Sequence, residues 1–145
     1  MADIIYKEES YEVIGAAMAV HKALGKGFVE GVYGDCLAIE FEKRGIPFVR
    51  EPEMHIMYDN RVIHHTFKPD FVCYDRIIVE LKAVNDIIPD HEAQIINYLY
   101  VSKMRLGLLI NFGNPYLWYK RYPNLKEGRI AQPGDSSDMS LEESQ

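Results

Sequence analysis

Three stretches of the chain carry apolar residues at the three- and four-residue spacing of amphipathic helices. They cover residues 9–24, 29–44 and 89–102. Gly25 and Gly45 directly follow the first two stretches, and glycine is common where a helix ends in a left-handed conformation. The third stretch begins with an acidic first turn, which complements the helix dipole. The sequence therefore predicts three helices.

Five other stretches have the apolar content and the turn boundaries of β-strands. They cover residues 48–58, 61–74, 77–84, 105–112 and 116–122. Only tight turns at Asp59-Asn60 and Asp75-Arg76 separate the first three, so we expect an antiparallel three-strand meander. The fourth is almost entirely apolar, as in a strand buried on both faces, and the last alternates as an edge strand does. The order of elements predicts an α/β fold with a mixed sheet flanked by helices.

The length and composition are those of one domain. The chain has 145 residues and 48% hydrophobic content, which supports a single core. After Pro123 large apolar residues almost disappear, so we expect a domain at residues 1–123 and a disordered acidic tail at residues 124–145. No apolar run reaches the roughly 18 to 20 residues of a membrane span, and the N-terminus is acidic where a secretion signal is basic. We therefore expect a cytoplasmic protein with no membrane partner.

Net charge and cysteine spacing argue against two classes of site. The formal net charge is −6, which argues against the broad basic surface of proteins that coat nucleic acid. It is compatible with an enzyme whose site contains carboxylates, because a bound cation reverses the local sign. Cys36 and Cys73 have neither a CxxC nor a histidine-paired spacing, so we expect reduced packing residues rather than a zinc site or a disulfide.

Candidate chemistry is concentrated on the second and third predicted strands. Side chains alternate across a strand, so Glu80 and Lys82 share one face while Leu81 turns into the core. The hairpin between the two strands brings Asp70 beside them. Two carboxylates and an ammonium group at one sheet edge would hold a divalent cation and place a charged group next to it. That arrangement is typical of metal-assisted phosphodiester hydrolysis.

Two of the predicted helices supply further candidates. His91, Gln94 and Tyr98 lie on one face of the third helix. The alternative is that neither residue has a function: Gln94 is then a solvated helix residue, and Tyr98 an ordinary core aromatic. Glu30 stands near the start of the second helix, where the dipole favours a carboxylate whether or not it also takes part in a site.

Pro69-Asp70 on one strand and Glu80-Leu81-Lys82 on the next form a PD and ExK pattern. Through this pattern and its place in the order of elements, the chain resembles the PD-(D/E)XK nuclease superfamily over about residues 8–122. The resemblance implies a restriction-endonuclease-like core that hydrolyses phosphodiester bonds with a divalent metal. It implies that Asp70 and Glu80 bind the metal, with the Leu81 carbonyl as a third ligand. Lys82 would orient the attacking water or stabilise developing charge.

Two finer patterns narrow the resemblance. Residues 27–33 match the GxxExxY pattern that names a bacterial and archaeal protein family, and Gln94 and Tyr98 match the QxxxY pattern of the RecB-like branch. These similarities imply that Gln94 and Tyr98 support the site or orient the substrate. They also imply that Glu30 reaches the metal directly or through water. Such an oxygen-rich ligand set suits Mg²⁺ or Mn²⁺.

The sequence is compatible with two functions. The preferred hypothesis is a Mg²⁺- or Mn²⁺-dependent nuclease acting on DNA or RNA, or on a smaller phosphoester. Its catalytic residues would be Asp70, Glu80, Lys82, Gln94 and Tyr98, and its metal ligands Glu30, Asp70, Glu80 and Leu81. The alternative is a non-catalytic binding or assembly module on the same fold, acting as a homodimer or with a protein partner. Binding of a divalent metal discriminates between the two.

Other polar and aromatic residues have simpler explanations. Lys68 shares a strand face with Asp70 and could contact phosphate, although a surface lysine needs no such role. His64 and His65 are adjacent, so we expect them on opposite strand faces, unable to share one ion, and His55 stands alone. Residues 118–122 interleave aromatic and basic side chains, and an edge strand with a buried aromatic face explains them better than base stacking.

Overall fold

A computed structural model describes residues 4–124, which contain three helices and seven strands. The helices are α1 (Lys7–Leu24), α2 (Glu30–Arg44) and α3 (Pro89–Ser102). The strands are β1 (Phe48–Arg50), β2 (Met54–Tyr58), β3 (Arg61–Phe67), β4 (Phe71–Cys73), β5 (Ile77–Lys82), β6 (Leu106–Asn111) and β7 (Trp118–Pro123). No helix in this part of the chain is long and apolar enough to cross a membrane.

The two N-terminal helices end at glycine, as the sequence predicts. Gly25 and Gly45 have φ values of 68° and 70°, and their N–H groups donate to carbonyls of the last helical turn. The apolar stripes of both helices are buried, with Val13 and Leu37 fully excluded from solvent. All three predicted helices are present, and α1 begins slightly earlier than expected, at Lys7.

The main sheet has five strands in the order β1-β4-β5-β6-β7. β5 and β6 run parallel, connected through α3, and the other neighbours are antiparallel. β6 is buried along its whole length and β7 lies at the edge of the sheet, as predicted. One core cluster joins α1 and α2 to one sheet face, and a second joins α3 to the other. The predicted α/β class, with a mixed sheet between helices, is confirmed.

Two of the predicted strands are each divided by a proline. Pro52 separates β1 from β2, and Pro69 separates β3 from β4. β1 pairs with β4 in the main sheet, whereas β2 and β3 form a separate two-stranded sheet. Proline has no N–H to donate to a ladder, so a continuous pairing is interrupted where it occurs. The meander is present, but only the β1–β4 half of its first hairpin belongs to the main sheet.

The pairing of β2 with β3 contains an irregularity that brings two histidines together. His55 is paired with Thr66 but Met57 with Val62, so β3 has extra residues in the intervening segment. This bulge interrupts the alternation of side chains. The rings of His64 and His65 lie 4.2 Å apart between their centroids. The prediction that they lie on opposite faces is therefore wrong.

Two predicted boundaries shift by one residue. The second hairpin turn is at Tyr74-Asp75, where both φ values are 57°, rather than at Asp75-Arg76. Asn124, predicted as the first residue of the tail, is buried, and its N–H donates to the Arg105 carbonyl at 2.8 Å. Its side-chain amide donates to the Met104 carbonyl at 3.0 Å. The rest of the predicted tail, residues 125–145, lies outside the described residues.

The basic residues of β7 make contacts within the domain. Buried Arg121 donates hydrogen bonds to the Ser10 hydroxyl and to the Ile5 carbonyl, connecting the edge strand to α1 and the segment before it. Lys120 forms an ion pair with Glu92 on α3 at 2.8 Å. These contacts support the interpretation of residues 118–122 as an edge strand.

Candidate active site

Asp70 and Glu80 meet where the ladder between β4 and β5 ends. Phe71 pairs with Val79, so Asp70 comes directly opposite Glu80 one step beyond the last pair. The Asp70 N–H donates to Glu80 Oε1 at 2.8 Å, and the Leu81 N–H donates to Asp70 Oδ2 at 2.7 Å. The main chain thereby fixes one oxygen of each carboxylate. Asp70 directly precedes β4 and Glu80 lies within β5, so the two acids lie in the interior of the sheet, where β1 and β6 flank the pair of strands.

Lys82 is connected to α3 through two side chains. Its Nζ donates to Gln94 Oε1 at 3.3 Å, and Gln94 Nε2 donates to the Tyr98 hydroxyl at 3.1 Å. The Tyr98 ring stacks on Phe67 with 4.6 Å between ring centroids. Gln94 and Tyr98 are both half-buried, and Tyr98 packs against the core cluster around α3, so core packing accounts for its ring while its hydroxyl contacts Gln94. His91, by contrast, accepts the Ile88 N–H at 3.2 Å and closes the first turn of α3.

The backbone of Leu81 also faces the two acids. The N–H and C=O of one residue point to the same side of a strand. Because the Leu81 N–H donates to Asp70, the Leu81 carbonyl points to that side as well. The Lys82 carbonyl points the opposite way and accepts the Phe112 N–H at 2.8 Å. The Leu81 side chain is buried in the core against α1 and α2, as the alternation predicts.

Glu30 approaches the same site from α2. It is the first residue of that helix and lines a cavity of about 120 Å³ together with Asp70 and Leu81. Burial raises the pKa of Glu30, and the charge of Asp70 raises it further, whereas the charge of Lys82 lowers it. The shared cavity places Glu30 beside Asp70 and Leu81. Together with the hydrogen bonds described above, it brings the predicted site residues into one region around β5.

The carboxylates of the site hold their protons more tightly than exposed carboxylates. Burial, followed by repulsion from Asp70, raises the pKa of Glu80 to about 8. Burial also raises the pKa of Asp70, although the Leu81 N–H and the Lys82 charge oppose the change. The site therefore carries less negative charge at neutral pH than its number of acids suggests.

The donor set fits a hard divalent cation. Within residues 4–124 no group of three or more histidine, cysteine or acidic side chains is already arranged to hold a metal ion. Asp70, Glu80 and the Leu81 carbonyl are nevertheless oxygen donors, and the Asp70 and Leu81 N–H groups hold the two carboxylates close together. A cation would relieve the repulsion that raises the pKa of Glu80. One oxygen of each carboxylate accepts a backbone N–H, so the other oxygen is the one suited to a cation.

The family model of the PD-(D/E)XK nuclease superfamily matches residues 7–122. The chain belongs to this superfamily. PD-(D/E)XK nucleases generally use divalent metals, in agreement with the oxygen donors described above. In this PD-(D/E)XK protein, the PD pattern ends at Asp70 and the ExK pattern lies on β5. No curated protein and no solved structure matches the chain.

Other residues considered in the sequence make no recorded contact with this PD-(D/E)XK site in the described part of the chain. Lys68 and His55 are exposed. Neither cysteine forms a disulfide: Cys36 is half-buried and Cys73 is buried. Burial raises the pKa of the Cys73 thiol to about 12, so it stays protonated, as a packing residue should.

Sequence reasoning missed Asn111, a buried residue beside the site. It pairs with Lys82 across β5 and β6. Its Oδ1 accepts the Val84 and Gly113 N–H groups at 3.0 and 3.1 Å, and its Nδ2 donates to the Val84 carbonyl at 2.9 Å. These bonds fix the chain that follows Lys82. The signal in the sequence was a single amide at the end of an otherwise apolar buried strand.

Arg50 was missed as well, and it lines the same cavity as Glu30 and Asp70. Its Nη1 forms an ion pair with Asp35 Oδ1 at 2.7 Å. Nothing in the local sequence distinguishes Arg50 from other charged residues near strand ends. Its place follows from the pairing of β1 with β4, which sets Arg50 opposite Phe71.

Proposed function

We propose that this PD-(D/E)XK protein is a divalent-metal-dependent nuclease that hydrolyses phosphodiester bonds of DNA or RNA. The observation that carries the proposal is a pair of backbone hydrogen bonds, from the Asp70 N–H to Glu80 and from the Leu81 N–H to Asp70, which hold the two acids beside the strand that carries Lys82. Burial and the charge of Asp70 raise the pKa of Glu80, and a buried carboxyl perturbed by a specific charged neighbour is typical of functional sites. Membership of the superfamily supports a role for this arrangement in phosphodiester hydrolysis.

In this proposal the metal ligands are Asp70, Glu80 and the Leu81 carbonyl, with Glu30 acting directly or through water. A bound Mg²⁺ or Mn²⁺ would acidify the attacking water and offset the charge on the phosphate. The Lys82 ammonium orients that water or stabilises charge developing on the phosphate. Gln94 accepts a hydrogen bond from Lys82 and so restricts the position of the ammonium group.

We further propose that the protein belongs to the RecB-like branch and to the GxxExxY family. The hydrogen bond from Gln94 to Tyr98 supports the first assignment, because the QxxxY pattern then has a structural role at the site. The cavity shared by Glu30 and Asp70 supports the second, because it gives the glutamate of the GxxExxY pattern access to the site. Tyr98 would hold Gln94, and through it Lys82, in place.

A cleavage panel tests the nuclease proposal. Single- and double-stranded DNA and RNA are incubated with the protein and Mg²⁺, Mn²⁺ or EDTA. Glu80→Gln should lower the metal-dependent rate by about a hundredfold or more, since even the outer partners of metal ligands typically matter ten- to a hundredfold. Glu42→Gln is the matched control, because Glu42 is an exposed acid on α2. Equal rates for wild type and Glu80→Gln would assign the cleavage to a contaminant or another site.

Titration calorimetry with Mn²⁺ separates the nuclease from the non-catalytic module. Wild type should bind the ion, while Asp70→Asn and Glu80→Gln should bind it more weakly. A wild-type protein that neither binds Mn²⁺ nor cleaves any of the four substrates would favour the binding or assembly module. Size-exclusion chromatography with light scattering would then show whether the chain forms a homodimer.

A further inference from the structure

Arg50 is a cation at the candidate active site to which the proposed mechanism gives no role. It lines the cavity of about 120 Å³ that also contains Glu30 and Asp70. We propose that Arg50, packed against Gly34, binds a backbone phosphate of the nucleic acid next to the bond that is cleaved. This inference rests on the proposed nuclease function and adds the residue that holds the substrate.

Gly34 is the first observation that supports the proposal. A Cβ atom built on Gly34 would lie 2.8 Å from Arg50 Nη2 and 3.7 Å from Arg50 Cζ, so the guanidinium fills the space of the missing side chain. Gly34 lies inside α2 and does not have the positive φ that favours glycine. A glycine in a helix interior costs about 1 kcal/mol relative to alanine. The backbone conformation at position 34 does not require glycine, but the space taken by the Arg50 guanidinium does.

The position of Arg50 relative to Asp70 is the second observation. Arg50 pairs with Phe71, the residue after Asp70, and its Cζ atom lies 5.7 Å from the centroid of the Phe71 ring. A guanidinium offers two parallel N–H donors to the oxygens of a phosphate. A water molecule needs roughly 10 to 15 Å³ of such a cavity, so its volume admits several waters or a phosphate group.

The present carboxylate partners of Arg50 can be replaced. Its Nε lies 3.9 Å from Glu51 Oε2, and the Glu51 side chain is 59% exposed. Arg50 Nη1 lies 2.7 Å from Asp35 Oδ1, and the Asp35 side chain is 71% exposed. Exposed ion pairs contribute about 0 to 1 kcal/mol to stability, so exchanging the carboxylate for a phosphate costs little. Glu30, Glu51 and Asp70 also line the cavity, so we expect phosphate binding to be strongest when a divalent cation is present.

Arginine variants test the inference through binding as well as cleavage. Arg50→Gln should weaken the affinity for a fluorescein-labelled single-stranded DNA oligonucleotide in Ca²⁺ by roughly tenfold or more, the effect of one charge-assisted hydrogen bond. KM should rise by a similar factor with a smaller change in kcat, and Arg50→Lys should restore part of the loss. Mn²⁺ affinity should not fall by a comparable factor, because Arg50 is not one of the proposed metal ligands. Arg44→Gln is the control, because Arg44 lies ten residues beyond Gly34, about 15 Å along α2.

Gly34→Ala provides a second test that keeps the charge of Arg50. The new methyl group should displace the guanidinium and weaken oligonucleotide binding several-fold without lowering the melting temperature. Gly15→Ala on α1 is the matched control, since its Cβ would lie 3.3 Å from Arg44 Nη1, away from the site. If wild type cleaves DNA while Arg50→Gln and Gly34→Ala bind and cleave as it does, the Arg50 inference alone is overturned. If wild type neither binds the oligonucleotide nor cleaves DNA or RNA, both the nuclease proposal and the Arg50 inference are wrong.

Discussion

Replacing Glu80 should change how the free energy of unfolding depends on pH. Burial and repulsion from Asp70 raise the pKa of this carboxyl from 4.5 to about 8 in the folded protein. The folded state therefore binds the Glu80 proton more tightly than the unfolded state does. The stabilising contribution is fully present below pH 4.5, falls as the pH rises, and is lost once the pH passes about 8.

The size of the stability difference follows from the rise in the pKa of Glu80. The difference between 4.5 and about 8 corresponds to an upper limit of about 5 kcal/mol, at about 1.4 kcal/mol for each pKa unit. Structural relaxation and entry of water reduce this limit, so we expect about 2 to 4 kcal/mol. Glu80→Gln has no proton to lose, and its side-chain oxygen can still accept the Asp70 N–H. At pH 8.5 the variant should therefore be more stable than wild type by that amount.

Urea unfolding followed by circular dichroism measures the difference. Wild type and Glu80→Gln are compared in EDTA at several pH values between about 4.5 and 8.5, with Glu42→Gln as the exposed control. The gap between wild type and Glu80→Gln should be small at the acid end and widen as the pH rises. Parallel curves over the whole range would refute the argument that Glu80 keeps its proton. Mn²⁺ should then stabilise wild type more than the variant at high pH.

Three further outcomes follow from buried contacts. Gly107→Val should cost about 1 to 3 kcal/mol in thermal unfolding, because a Cβ there lies 2.9 Å from Ile95 Cδ1 and would push α3 away from β6. Asn111→Ala should cost about 2 to 4 kcal/mol in urea unfolding, because it leaves buried backbone groups without partners. Cys73 should react with iodoacetamide at pH 8 far more slowly than Cys36 in the native protein and at a similar rate in urea, because burial keeps its thiol protonated.

The sequence predicts those parts of the site whose residues are close together in the chain. Strand alternation places Glu80 and Lys82 on one face, and a short hairpin brings Asp70 opposite Glu80, ten positions later in the chain. Helical periodicity places Gln94 and Tyr98 one turn apart. Each of these predictions relates residues that are close in the chain. They therefore remain correct even when the predicted end of a helix or strand is wrong by one or two residues.

Long-range pairing decides what the sequence does not show. The role of Arg50 depends on the register between β1 and β4, two strands separated by the whole β2–β3 hairpin. The adjacent rings of His64 and His65 depend on a bulge, which no composition signal marks. The strand breaks at Pro52 and Pro69, unlike these two features, could have been predicted from the sequence. Proline inside a predicted strand argues against continuous pairing.

The contact of Arg121 with Ile5 brings the two ends of the described domain together. A short linker between these ends would give a circular permutant, and neighbouring termini are the usual condition for tolerating one. New termini at the Asp59-Asn60 turn would interrupt only the separate two-stranded sheet and leave every ladder of the main sheet continuous. The domain could then be inserted into a loop of another protein with β4 and β5, the strands at the candidate site, intact.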